Sequence, residues 1–524
     1  MARRTPVGKG GLPSGIVVAA VEASEPGADG AAVVEGAGAD RRLIERLRAI
    51  RVRDVRPHLL IVGLMAAYAI YFSRLTIEIY RGYGQPGFDM GIYDQGVWLL
   101  SRFHAPFVTI MGRDLFGDHS SLILLLVVPF YWIYPSVATL CVLQSVSLAL
   151  GALPVYLLAR DRLGGTILPT LLAGAFLLHP ALQGGNLEQF HPECFLVPFI
   201  GFAIYAAVTW RPRLLIVMVV LCLLVKEDVA LLVVPLGLWV WIRRDRRLGL
   251  RIMLGAIAAA LIATQVIIKG FLGIPELHGD RIPFGGLHGL VMNTLKKPGQ
   301  VAKYLVSESR PFYVWQMLVP SAMMFLRAPG VAAIAILVIG TNVLSNFPYQ
   351  HMLQYHYSLA VVPVVALGTV LGIAALTRLR WRALSVMGVV LLSLWATFLW
   401  GSLPAISQNK IPHWKPSYPQ VHDINAVLSA LPPNAIVSAQ YTFVTHVDHR
   451  TRVYEWPTPF KAEYWGLLNQ EGQRLPFANQ VQYLFIPVQL DPDTAPVFKQ
   501  IRSQFVVVRQ VGDVQLLRRV SPGP

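Results

Sequence analysis

The chain has 524 residues, 54% hydrophobic and only 14% charged, against roughly a quarter charged in an ordinary soluble domain. Mean hydropathy is +0.52, which describes an integral membrane protein and excludes a soluble enzyme, a disordered scaffold and a small disulfide-stapled domain. The formal net charge of +16 invites a nucleic-acid reading, but charge identifies a partner only once it is located along the chain.

Residues 1–40 are rich in Gly, Ala, Val and Glu without helical periodicity and read as a disordered tail. The basic segment Arg41–Arg56 that follows suits anionic lipid headgroups. A bilayer-crossing helix takes about 20 mostly apolar residues. Hydropathy then predicts eleven spans, at 58–79, 137–159, 166–184, 194–210, 214–226, 228–242, 250–271, 314–327, 330–345, 357–377 and 382–401. A twelfth apolar run, Leu122–Tyr134, is read as lying in the interface or dipping in and returning, because only then do the basic connections share one face. Those connections hold Arg160/Arg162, Arg211/Arg213, Arg243/Arg244/Arg246/Arg247, Arg327 and Arg378/Arg380/Arg382. The positive-inside bias makes that face, and the amino terminus, cytoplasmic. Much of the basic excess is therefore a topological label, and no nucleic-acid partner is expected.

The opposite face receives nearly every other polar cluster: FDMGIYDQ (88–95), GDHSS (117–121), NLEQFHPE (186–193), the triplet Lys226-Glu227-Asp228 and QYHY (354–357). The loop 80–136 is too long for a plain connector. Residues 402–524 turn polar and alternate, and they predict a small α/β domain on that outer face. Its helix is Tyr418–Leu431, with strands at Ala435–Ala439, Arg452–Trp456 and Tyr483–Val488. A second helix at Ala495–Ser503 precedes a hairpin of Phe505–Arg509 and Val514–Val520 turned at Gly512-Asp513. No Gly-rich phosphate loop occurs there. The three cysteines lie in or beside apolar runs and read as small hydrophobes. The fold expected is thus an all-α polytopic membrane protein: a tail at 1–57, about eleven transmembrane helices in 58–401, and the α/β domain at 402–524.

Asp89 stands at the start of an amphipathic helix that runs to Trp98 and is expected to lie in the interface. Its plain role there is a helix cap; its sharper role is a general base at the membrane surface, within reach of a hydroxyl acceptor. Asp94 and Gln95, one turn on, either orient substrate or hydrate an exposed face. Asp118 and His119 precede the interfacial run and face the same water as Asp89, as cap or as ligand. Glu188, His191 and Glu193 fall within six residues, so one imidazole and two carboxylates are available to a divalent metal; without a metal they are loop hydrogen-bonding groups. No HExxH occurs, which removes the zinc-protease reading. Lys226 interrupts an apolar stretch, where a cation is usually paired or functional. It either pairs with Glu227 or Asp228 or offsets charge on a phosphate leaving group. His356, beside Tyr355 and Tyr357, opens a span on the same face.

The order of first span, FDMGIYDQGVWLL, GDHSSLILLLVVPFYWIYP and a second span ending VYLLARDRLGG resembles the opening module of the GT-C superfamily of lipid-linked sugar-dependent glycosyltransferases. With NLEQFHPECFLVPF, LLVKEDVALLVVPLGL and QYHYSLAVVPVV, the region 58–400 resembles the DUF2079 family of predicted bacterial membrane proteins. The resemblance implies an inverting transfer, with or without a metal, from a polyprenyl-phosphate sugar to a glycan, lipid or protein acceptor outside the cytoplasmic membrane. By position, Asp89 matches the acidic residue just beyond the first span that serves as the base. A second carboxylate often follows it in that superfamily; here Met90-Gly91 does. The rival classes are a transporter or flippase of a lipid-linked or polar solute, and a non-catalytic assembly factor presenting residues 402–524. A transporter would place charge at the midplane and repeat its halves, and only the Lys226 triplet is deep.

Overall fold

The computed structural model describes residues 58–271, 273, 281–403, 406–408, 414–466 and 469–520. The tail expected over residues 1–57 lies outside them. The chain enters on helix α1 (Leu59–Arg81), whose 23 residues carry no charge before Arg74.

Among the described residues five helices are long and apolar enough to cross a membrane: Leu59–Arg81, Val137–Leu163, Arg246–Ile268, His356–Ala374 and Leu379–Trp400. A bent pair, Ile167–Leu177 with Pro180–Leu187, makes a sixth if taken as one span. The expectation of about eleven spans is therefore overturned. Hydropathy counts apolar residues but is blind to the groups that interrupt helices. Pro180, which lacks an N–H, sits at the 45° bend of the pair. Lys226 is extended (φ −166°, ψ 158°) and separates Pro212–Leu223 from Ala230–Arg243. Ala322 and Met323 are both left-handed, and they split the run at 314–327 into one helix and two 3-10 turns. The 12 residues of Pro212–Leu223 rise only about 18 Å, against a hydrocarbon core near 30 Å. Leu122–Ile133 is likewise short, and it exposes Leu125, Leu126, Phe130, Trp132 and Ile133.

The long first loop folds into α2 (Ile92–Ser101), a two-stranded ribbon of β1 (Phe107–Val108) and β2 (Arg113–Asp114), and the helix Leu115–Asp118. Ile92 through Val97, Leu99 and Ser101 are all buried, so α2 is packed on most of its circumference instead of lying half-exposed in the interface.

The carboxy-terminal region holds a five-stranded mixed sheet of β3 (Val437–Ala439), β4 (Val453–Glu455), β5 (Tyr483–Pro487), β6 (Phe505–Val511) and β7 (Val514–Arg519), ordered β4-β3-β5-β7-β6. β3 pairs in parallel with β4 and β5, and β7 lies antiparallel between β5 and β6. The β6–β7 turn uses Gly512 at φ +50°. Val437, Val453, Phe485 and Leu516 join the same apolar core as the membrane helices, while Tyr454, Trp456, Phe460 and Trp465 form a second core on the other side. The ribbon of the first loop is fitted to that second core. Gly112 (φ +67°) lies against the Trp465 ring, where a Cβ would come within 2.3 Å.

Candidate active site

α2 does not begin at Asp89. Its first residue is Ile92, and Asp89 sits in the tight turn Gly87–Gly91 with φ 62° and ψ −76°, a conformation that costs a non-glycine residue free energy. The Asp89 carboxylate caps no helix. It turns toward a cavity of about 530 Å³ bounded by the first loop, the 188–193 segment, the Lys226 break and the 347–357 segment.

These four stretches, with Arg281 and Tyr464, supply the polar wall. The 186–191 segment is held from behind by Gln144, whose amide donates to the carbonyls of Gly185, Asn186 and Gln189 and whose Oε1 accepts from the His191 peptide. The rings of His191 and His356 stack at 3.6 Å. His191 Nε2 lies 3.8 Å from Asp89 Oδ1. Glu188 accepts the His356 peptide N–H at 2.8 Å and lies 3.4 Å from its Nδ1. Lys226 donates to Glu193 at 2.9 Å, a buried pair, and His356 Nε2 stands 3.8 Å from the same Glu193 oxygen. On the adjoining wall Arg113 pairs with Asp118 at 2.7 Å, and His119 with Glu227 at 2.7 Å. Arg281 stacks over Phe347, and Tyr93, Tyr349, Tyr355, Tyr357 and Tyr464 complete the lining.

Of the acids that reach this cavity, Asp89 is the accessible one. Its side chain is 37% exposed, against 16% for Asp118 and 9% for Glu188. Burial works against its carboxylate, but the His191 imidazolium beside it holds its pKa below the usual value. Burial alone would lower the pKa of His191. The charges of Glu188 and Asp89 outweigh it and push His191 up to about 9.

The structure thus brings together Asp89, Asp118, His119, Glu188, His191, Glu193, Lys226, Glu227 and His356. Lys226 pairs with Glu193, not with its chain neighbours Glu227 and Asp228, and Asp228 is exposed and does not line the cavity. Asp94 and Gln95 are on the far side of α2. Asp94 bonds to Tyr131, and Gln95 bonds to Thr109 and the Arg450 carbonyl. Sequence reasoning missed Arg113, Arg281 and Gln144. Arg281 falls in a long loop, and Gln144 is a single polar residue inside an apolar helix, which was itself a signal.

Among the described residues, two groups of side chains have the donors that a divalent cation needs. Glu188, His191 and His356 each offer one atom within 4.8 Å of the others, and so do Asp94, Asp448 and His449.

Fold and site describe a multi-pass membrane protein with a polar cavity that the carboxy-terminal region reaches through Tyr464. The family described as "Predicted membrane protein (DUF2079)" matches residues 85–509, and the chain belongs to that family. Among solved structures the fold is similar to that of ArnT from Cupriavidus metallidurans. The undecaprenyl phosphate complex aligns at TM-score 0.50 and 12% identity, covering 88% of this chain and 99% of that one. The apo form gives 0.51 and 13% with the same coverage. None of the curated proteins matches.

Proposed function

We propose that this protein is a GT-C-type glycosyltransferase that moves a sugar from a polyprenyl-phosphate donor to a hydroxyl acceptor, with Asp89 as general base. The observation that carries the reading is an accessible carboxylate, kept ionised by a buried imidazole, facing a cavity that also holds Arg113, Lys226 and Arg281. The ArnT fold, seen in that protein with undecaprenyl phosphate bound, supports a donor of the same chemical kind.

In this reading the acceptor oxygen attacks the anomeric carbon and gives its proton to Asp89. The bond from that carbon to the phosphate oxygen breaks, and polyprenyl phosphate leaves. Lys226, Arg113 and Arg281 offset the charge that develops on the phosphate, while their paired acids Glu193 and Asp118 hold two of them in place. Asp118, His119, Glu188, His191, Glu193, Glu227 and His356 shape the donor pocket. Residues 58–401, with the loop 80–136, form the membrane domain. Residues 402–524 form the domain on the outer face of a bacterial cytoplasmic membrane, with the amino terminus inside.

If a divalent metal serves the reaction, Glu188, His191 and His356 would hold it, and it would neutralise phosphate charge. That role excludes the other for His191, because a protonated imidazole pairs with Asp89 and only a neutral one ligates a metal. Transfer of labelled sugar from polyprenyl-phosphate donors by the purified protein, wild type against Asp89→Asn, tests the reading. No transfer from any donor, together with solute movement in liposomes that is indifferent to Asp89, would replace it with transport.

A further inference from the structure

The opposite face of α2 carries a polar cluster that the proposed reaction does not use. Asp94 is 1% exposed; one carboxylate oxygen accepts the Tyr131 hydroxyl, and the other lies 3.0 Å from His449 Nε2. Asp448, only 2% exposed, joins them, and its Oδ2 has no hydrogen-bond partner among the described residues. One donor atom from each of the three residues lies within 4.8 Å of the other two. Arg450 acts on Asp448 through its charge and makes no hydrogen bond to it, its guanidinium turned to the carbonyls of Val447 and Pro432.

Two buried carboxylates side by side are costly unless their charge is compensated. The His449 ring meets Asp94 alone and leaves Asp448 with an unmet oxygen. A divalent ion would balance both and use that oxygen. The surroundings suit a ligand set. The Tyr131 hydroxyl fixes Asp94 from behind, as outer partners of metal ligands do. Trp98 stacks on the His449 ring at 5.7 Å and 12°. The His449 side chain is 30% exposed, which gives an ion a way in from water. One imidazole and two carboxylates suit zinc or manganese better than calcium, which takes six or more oxygens.

We infer that Asp94, Asp448 and His449 bind one divalent transition-metal ion that ties α2 of the first loop to residues 448–449 beside the carboxy-terminal sheet. The ion is a structural clamp, separate from the cavity that holds Asp89. The same contact is already supported by Gln95 on the Arg450 carbonyl and by Thr109 on the backbone of Val453.

The test uses the full chain in detergent, stripped with a chelator and then equilibrated with zinc, with metal content and melting temperature both measured. A His356→Gln background removes the other donor group, so that any ion counted belongs to the clamp. The expected result is one equivalent of zinc in that background, with a higher melting temperature than the stripped protein. Adding Asp448→Asn or His449→Gln should abolish both the ion and the rise. His449→Cys guards against a folding failure: loaded with cobalt, it should retain the ion and gain a thiolate-to-metal charge-transfer absorption. Zinc content below 0.1 equivalent in the His356→Gln background, or a cobalt spectrum unchanged by His449→Cys, would overturn the clamp and leave a proton shared between the two carboxyls.

Discussion

Glu455 gives the sharpest stability prediction. It ends β4 at 6% exposure, its Oε2 has no hydrogen-bond partner among the described residues, and it presses on Gly87, where a Cβ would lie 2.6 Å away. Burial first, then the charge of Glu463 and, less, that of Asp89, push its pKa from 4.5 to about 8 against the pull of the Phe88 peptide. The folded protein therefore holds this carboxyl as the acid at pH 7, whereas the unfolded chain ionises it. Each pH unit between 4.5 and 7 costs roughly 1.4 kcal/mol, so the penalty at pH 7 is about 3 kcal/mol. Stability from this group is complete below pH 4.5, declines as pH rises and levels off above about 8. Glu455→Gln keeps a neutral side chain of the same shape and removes the decline. Melting temperatures in detergent from pH 5 to 9 should show the variant above wild type by several degrees at pH 7 to 8, with the two converging toward pH 5. A constant offset across that range, or a variant that melts below wild type at pH 8, would refute the assignment of a buried neutral acid.

Other consequences are open to measurement. Removing one partner of the buried pair, as in Glu193→Leu, should cost about 3–5 kcal/mol by leaving Lys226 uncompensated, and Lys226→Met added to it should recover most of that loss in a thermal melt. His191 should impose an alkaline limb near pH 9 on kcat/KM for sugar transfer, since its deprotonation leaves the Asp89 carboxylate unpaired; His191→Gln should lower the rate below pH 9 and erase that limb. Gly112→Ala forces a Cβ into the Trp465 ring at a left-handed position and should destabilise by about 1–3 kcal/mol, read as faster proteolysis of the carboxy-terminal region.

Composition alone placed this chain in a membrane, and the motifs from Phe88 to Tyr357 were enough to assign it to its family. The strands were legible because alternation and turn residues are local: Tyr483–Pro487 and Val514–Arg519 fall within the predicted runs, and Phe505–Val511 runs two residues past its predicted end at Arg509. The number of spans was not. A sum over apolar residues treats Leu178-His179-Pro180 or Lys226 as a small loss of hydropathy, when each ends a helix. Polar clusters were visible one by one, but their partners were not. That Lys226 would meet Glu193 and not Glu227, and that His356 would stack on His191, depends on packing between segments more than 30 residues apart. α2 shows the limit most plainly. Asp89 and Asp94 are five residues apart, yet the turn before Ile92 sends the first into the cavity and the helix sends the second toward His449.

The central claim is that Asp89 takes the acceptor's proton in a cavity built to hold a polyprenyl phosphate. Single-turnover transfer from a radiolabelled polyprenyl-phosphate sugar, measured beside equilibrium binding of the polyprenyl phosphate itself, tests it most directly. Asp89→Asn should bind the lipid phosphate as wild type does and lose roughly 10²–10⁴-fold in transfer rate. An Asp89→Asn protein that transfers sugar at the wild-type rate would contradict the account.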